Sequence, residues 1–61
     1  MILSRIKVKL IVNFMMENNL TASAFAKACK IELLTLYRIL NYQPVELLPL
    51  YKIGRIAGFY L

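Results

Sequence analysis

Residues 22–41, with the sequence ASAFAKACKIELLTLYRILN, contain two short runs of apolar side chains at helical spacing. Side chains three and four positions apart lie on the same face of a helix. The positions that share a face are Phe25, Ala26 and Cys29 in the first run, and Leu36 and Ile39 in the second. Because Ala26 is small, a second helix has room to cross closely. The pattern predicts helices over residues 22–29 and 32–40, packed at a steep angle through a tight turn.

These positions resemble the helix-turn-helix motif of the phage-repressor superfamily (Cro and repressor, also called the xenobiotic-response-element type). The family's motif has apolar or small residues at six places, which are filled here by Phe25, Ala26, Cys29, Ile31, Leu36 and Ile39. YKIGRIAGF, at residues 51–59, is similar to the family's closing helix. The resemblance covers about residues 9–60. It implies an all-α, compact four-helix domain over residues 1–61, with the motif at about residues 22–41.

The resemblance also implies sequence-specific binding of double-stranded DNA by a homodimeric, repressor-like transcriptional regulator. The residues that it places at or near the DNA are Thr21, Ser23, Lys30, Leu33, Leu34, Thr35, Tyr37, Arg38 and Asn41. Arg38 has the most specific chemistry, because a guanidinium binds guanine or a phosphate through two hydrogen bonds. Thr21 and Ser23 precede or open a helix, where backbone N–H groups favour a phosphate.

Each of these assignments has a plainer alternative. Thr21 is also a natural N-cap, and the alternative for Arg38, Lys30 and Asn41 is a solvated surface side chain. Leu33 and Leu34 suit either thymine methyl groups or a protein partner. Most family members have glycine at the place of Lys30, where the turn needs a positive φ. The resemblance therefore implies a left-handed Lys30, at a cost of roughly 1 kcal/mol.

The composition favours an anionic partner and a partly apolar surface. Eight Lys and Arg against three Glu give a net charge of +5, which suits nucleic acid or an anionic membrane surface. The chain is 61% hydrophobic, above the typical ~45–50%. A chain of this length buries only about 60% of its unfolded surface, so some apolar side chains should lie outside the core. We expect Val12 and Met16 among them, and a homodimer as the simplest partner.

Other function classes have little support in the sequence. There is no His, one Cys, and the only carboxylate side chains are Glu17, Glu32 and Glu46, so we expect no enzyme, cofactor, metal or small-molecule substrate. The longest stretch without a charged residue, residues 18–26, is far shorter than the ~20 residues of a membrane span. A single cysteine suits a reducing compartment, so we expect a cytoplasmic protein in which Cys29 is a small buried hydrophobe.

The N-terminal segment is ambiguous between strand and helix. Residues 5–10 alternate charged and apolar side chains, which favours a short strand or extended arm with Ile6, Val8 and Leu10 on one side. In that case Arg5, Lys7 and Lys9 would either lie along a DNA backbone or keep an exposed strand edge from aggregating. A helix from Ser4 is the alternative. Whether residues 5–10 are strand or helix, the pattern of residues 10–18 predicts a helix. This helix should end at the Asn18-Asn19 pair.

The last helix has two possible starts: Pro44 in its first turn, with Glu46 following, or Pro49 as its first residue. Proline is tolerated at the first turn of a helix and costs about 3 kcal/mol or more inside it. We therefore predict a helix from Pro49 to Ala57, preceded at most by a single turn. Gly58 should end it, and residues 59–61 should fold back on the core.

Two alternatives to DNA binding remain open at this stage. The helix-turn-helix scaffold would serve protein–protein interaction if Leu33, Leu34, Val12 and Met16 formed a docking surface. A cationic membrane-active peptide would also combine a charge of +5 with 61% apolar residues, and such a peptide would be disordered in water.

Overall fold

The computed structural model describes residues 1–60 and contains four α-helices. They are α1 (Arg5–Glu17), α2 (Ala22–Cys29), α3 (Leu33–Leu40) and α4 (Leu47–Ala57). The predicted all-α, four-helix architecture is confirmed, and no strand occurs among the described residues. Both α1 and α2 pack on α4, and α2 also packs on α3.

The prediction of an N-terminal strand or extended arm is wrong. Residues 5–10 form the first turns of α1, and the Ser4 hydroxyl accepts a hydrogen bond from the Lys7 N–H at 3.3 Å. Val8 is buried with Ile11, whereas Ile6 is 74% exposed. Val8 and Ile11 are three positions apart, so they lie on one face of a helix and can both be buried against the other helices. In a strand, residues three apart would point to opposite sides, so the burial of both favours the helix.

The bounds predicted for the first motif helix are confirmed. Thr21 is the N-cap of α2, and its hydroxyl accepts the Ala24 N–H at 3.1 Å. At the other end Lys30 adopts the left-handed conformation, with φ 58° and ψ 45°. The Ile31 N–H then donates to the carbonyl oxygen of Ala26 at 3.0 Å, which closes the helix and turns the chain towards α3.

The same left-handed reversal ends every helix in residues 1–60. The left-handed residues are Asn19, Lys30, Tyr42 and Gly58. In each case the next N–H donates to the carbonyl five positions back, in the pairs Leu20–Met15, Ile31–Ala26, Gln43–Arg38 and Phe59–Gly54. The roles of Asn19, Lys30 and Gly58 were predicted from the sequence. That of Tyr42 was not, because an aromatic side chain gives no signal for positive φ.

The core is one cluster to which all four helices contribute. Its buried members are Leu3, Val8, Ile11, Phe25, Ala26, Cys29, Leu36, Ile39, Leu50 and Ile53. Five of the six motif positions are therefore buried as predicted, and Ile31 is half-buried against them. The rings of Phe25 and Phe14 lie 5.8 Å apart and are tilted by 55°, which joins α2 to α1.

The start predicted for the last helix is two residues late. α4 begins at Leu47, and Pro49 occupies its third position. A proline is acceptable there because the first N–H groups of a helix have no acceptor within it. The predicted stop is confirmed, since Gly58 has a φ of 82°.

The fold-back predicted for the C-terminal segment holds only at Phe59. The Phe59 ring packs on the core, and the Lys7 ammonium lies 4.9 Å from its centre. Its carbonyl oxygen approaches α4 so closely that a Cβ added at Gly54 would lie 2.6 Å from it. Tyr60, by contrast, is 90% exposed, so the prediction is wrong there. Leu61 lies outside the described residues.

Replacing Lys30 by glycine should stabilise the protein by about 1 kcal/mol, because glycine removes the Cβ clash of the left-handed conformation. Denaturant unfolding followed by circular dichroism measures the difference. Lys30→Ala is the matched control, since alanine also lacks the ammonium group but keeps the Cβ. An equal gain for both variants would assign the effect to charge instead of backbone conformation.

Candidate nucleic-acid interface

The outer face of α3 carries four of the nine predicted contact residues. Leu36 and Ile39 are buried, so the opposite side of α3 is turned towards solvent. Leu33, Leu34 and Tyr37 are 37%, 57% and 47% exposed. Arg38 is also exposed, in the last turn of the helix. The structure thus brings these four residues together on one helical surface.

Thr35 lies apart from that surface. It is half-buried and lines a shallow cleft of about 440 Å³ between α3 and the start of α4. Arg38 lines the same cleft, so it borders both the cleft and the outer face of α3. Glu46 is on the opposite side of the cleft and adds a carboxylate there. A phosphate would therefore approach Arg38 more favourably from the outer face than through the cleft.

The N-terminus of α2 combines a cap with exposed backbone donors. Since the Thr21 hydroxyl already accepts the Ala24 N–H, its oxygen acts as a cap, and only its O–H remains to donate outward. Ser23 is exposed in the first turn. The first N–H groups of a helix have no acceptor within it, and α2 has no acidic residue in its first turn. This end of α2 is electrostatically suited to an anion.

Lys30 and Asn41 differ in what they can offer. The Lys30 side chain is exposed, while its carbonyl oxygen accepts the Lys52 ammonium at 3.3 Å. The Asn41 amide donates to the Tyr37 carbonyl oxygen at 2.7 Å and so caps its own helix. The second N–H of this amide and its carbonyl oxygen have no partner within the helix, so one donor is still available to a phosphate.

A second group of cations was not predicted from the sequence. Lys30, Lys52 and Arg55 line one shallow pocket of about 300 Å³ at the α2–α4 contact. Lys52 and Arg55 lie one turn apart on α4, whereas Lys30 is distant in the chain, and only the packing of α4 on α2 brings it to them. No spacing rule within a single helix would have found the group.

Cys29 is buried at the end of α2, and burial raises the pKa of its thiol above the ordinary value. The thiol is therefore kept in its neutral, weakly nucleophilic form. Among residues 1–60 no group of three or more His, Cys, Asp or Glu side chains is placed to hold a metal ion.

No protein-family model, curated protein or solved structure matches the chain. None of the helices in the described part of the chain combines the length and the apolar character that crossing a bilayer requires.

Thr21→Ala should lower the free energy of unfolding by about 1 kcal/mol, because the Ala24 N–H loses its acceptor. Thr21→Ser keeps the hydroxyl and should stay close to the wild type. Thermal melts of the three proteins measure the difference. If alanine and serine behave alike, the hydroxyl does not stabilise α2.

Proposed function

We propose that the chain binds double-stranded DNA sequence-specifically as a homodimeric, repressor-like transcriptional regulator, using the outer face of α3. The single observation that carries this proposal is the exposed Arg38 on a short helix whose opposite side is fixed by buried Leu36 and Ile39. The chain's resemblance to phage-repressor helix-turn-helix proteins supports the same function. The cytoplasmic location that we propose with it suits a chain with one reduced, buried cysteine.

The chemistry of the α3 face suits the major groove. A groove about 12 Å wide admits one α-helix, and a guanidinium binds the O6 and N7 atoms of guanine. Arg38 is the residue for that contact. Leu33 and Leu34, in the first turn of α3, would meet thymine methyl groups.

Contacts to the DNA backbone would come from the elements on either side of α3. The N-terminus of α2, with Thr21 and Ser23, offers N–H and O–H donors for a phosphate. Lys30 adds a cation at the turn before α3. The net charge of +5 attracts the duplex over a longer range.

Fluorescence anisotropy with labelled random duplexes, followed by selection of a consensus, tests the proposal. Binding should weaken steeply as salt rises, because each neutralised phosphate releases counterions. Arg38→Ala should weaken binding to the selected duplex by roughly 5- to 150-fold, the loss expected for one good contact to a base. The matched control is Arg5→Ala, an exposed arginine on α1, which packs on α4.

Two results would contradict the proposal. One is the absence of binding at low salt. The other is an Arg38→Ala protein that binds as tightly as the Arg5→Ala control.

Protein–protein interaction is a second candidate function, favoured by the apolar start of α3. Leu34 is 57% exposed, and Met16 on α1 is 71% exposed. Surfaces with clustered exposed apolar side chains commonly bind other proteins. This function would use Leu33, Leu34, Val12 and Met16 and would not need DNA.

Replacing Leu33 and Leu34 together by serine distinguishes the two functions. Under the second function the double variant loses association with its protein partner or with itself, measured by light scattering, and keeps its DNA affinity. Under the first it loses DNA affinity and its oligomeric state is unchanged. Ile6→Ser, at another exposed apolar position, is the control for general surface effects.

A further inference from the structure

Three cations line the shallow pocket at the α2–α4 contact, of which the proposed DNA interface uses only Lys30. Lys52 and Arg55 reach the pocket from α4, and Lys30 reaches it from the end of α2. The remaining lining residues are Ala28, Cys29 and Ile56. A concave site of about 300 Å³ with apolar walls and a few charged groups is typical of small-ligand binding.

The positive charge of this pocket is largely unbalanced by the described residues. Among residues 1–60 no carboxylate lines the pocket, whereas the cleft beside Arg38 has Glu46 on its wall. Burial raises the pKa of the Cys29 thiol, so no thiolate forms at the pocket floor at neutral pH. The C-terminal end of α2 offers about half a negative charge against the three cations. Most of the positive charge is therefore left to attract an anion.

The backbone holds one of the cations in position. The Lys52 ammonium donates to the Lys30 carbonyl oxygen at 3.3 Å, and the Lys52 side chain is half-buried. Its other N–H donors remain available to a ligand. Arg55 is exposed one turn further along α4, where side chains three positions apart are neighbours. Its guanidinium can bind a phosphate through two hydrogen bonds.

We propose that this pocket binds a phosphate dianion, which is either inorganic phosphate or the phosphate group of a small phosphorylated molecule. Lys52 and Arg55 bind the phosphate oxygens, and Lys30 adds a third positive charge. A phosphate group carries a charge of about −1.5 to −2 at neutral pH and three strong acceptor oxygens. It can therefore contact cations from two helices at once, whereas a single carboxylate neutralises only one of them.

The recessed position of Lys52 favours a small anion over a duplex as the occupant. Because its ammonium is turned back to the Lys30 carbonyl, it does not project outward as an arm towards a large polymer. A free phosphate can enter the pocket and reach it. This site does not depend on the proposed function. The two share only Lys30, so a bound phosphate would compete with DNA for that side chain.

A titration with sodium phosphate, followed by the amide chemical shifts of the isotopically labelled protein, tests the proposed site. Sodium chloride keeps the ionic strength constant, so that charge screening is the same at every point. The shifts should saturate with a dissociation constant below about 10 mM. The largest changes should occur in residues 28–30 and 52–56.

Arg55→Gln should raise the dissociation constant for phosphate at least about fivefold, because one charge-assisted contact is lost. This variant keeps the hydrogen bond from Lys52 to the Lys30 carbonyl, so it remains informative if Lys52→Gln lowers stability. Lys9→Gln is the matched control, since it removes the same charge from an exposed position on α1. The control should bind phosphate like the wild type.

Phenyl phosphate distinguishes the two sources of the phosphate group. Its ring would lie against Ala28 and Ile56, and Ile56 is 43% exposed. Tighter binding of phenyl phosphate than of inorganic phosphate assigns the pocket to a small phosphate ester with an apolar body. An affinity that is no higher assigns it to inorganic phosphate.

Two results would overturn the proposed site. One is a set of shifts that stays linear with phosphate concentration, and the other is an Arg55→Gln protein that binds phosphate as tightly as the Lys9→Gln control. If Arg55→Gln weakens duplex binding and phosphate alone does not saturate, the cations belong to the DNA interface instead. The phosphate titration contains no DNA, so a protein that binds phosphate here and no duplex refutes only the proposed function.

Discussion

The hydrogen bond from the Ile31 N–H to the Ala26 carbonyl oxygen fixes where α2 ends and in which direction α3 begins. This bond forms only because Lys30 adopts a left-handed conformation. The unfavourable conformational energy of one residue thus sets the relative placement of two helices. Once the chain has turned, Leu36 and Ile39 can reach the buried cluster around Phe25. The outward direction of Arg38 follows from their burial.

The sequence was most informative where burial follows a strict helical period. In α2 and α3 small or apolar residues recur at that period, and Thr21 marks a start, so both helices were predicted closely. Residues 5–10 were misassigned because the alternation test takes every apolar residue as an inward one. In a chain that is 61% hydrophobic this assumption fails, and Ile6 and Leu10 are in fact 74% and 43% exposed.

The candidate interface was predictable only as a set of positions along α2 and α3. The Asn41 amide turns back to the Tyr37 carbonyl, and Thr35 turns into the cleft beside α4. Both orientations depend on side-chain rotamers and on how α4 packs, which helical spacing does not contain. The meeting of Lys30 with Lys52 depends likewise on two helices that are distant in the chain.

The tight approach of the Phe59 carbonyl to Gly54 has an evolutionary consequence. Because a Cβ at Gly54 would lie 2.6 Å from that oxygen, any other amino acid at this position must displace the C-terminal segment. At Gly58 there is space above the backbone, but the positive φ penalises every L side chain. Single substitutions at either glycine are therefore selected against for folding alone.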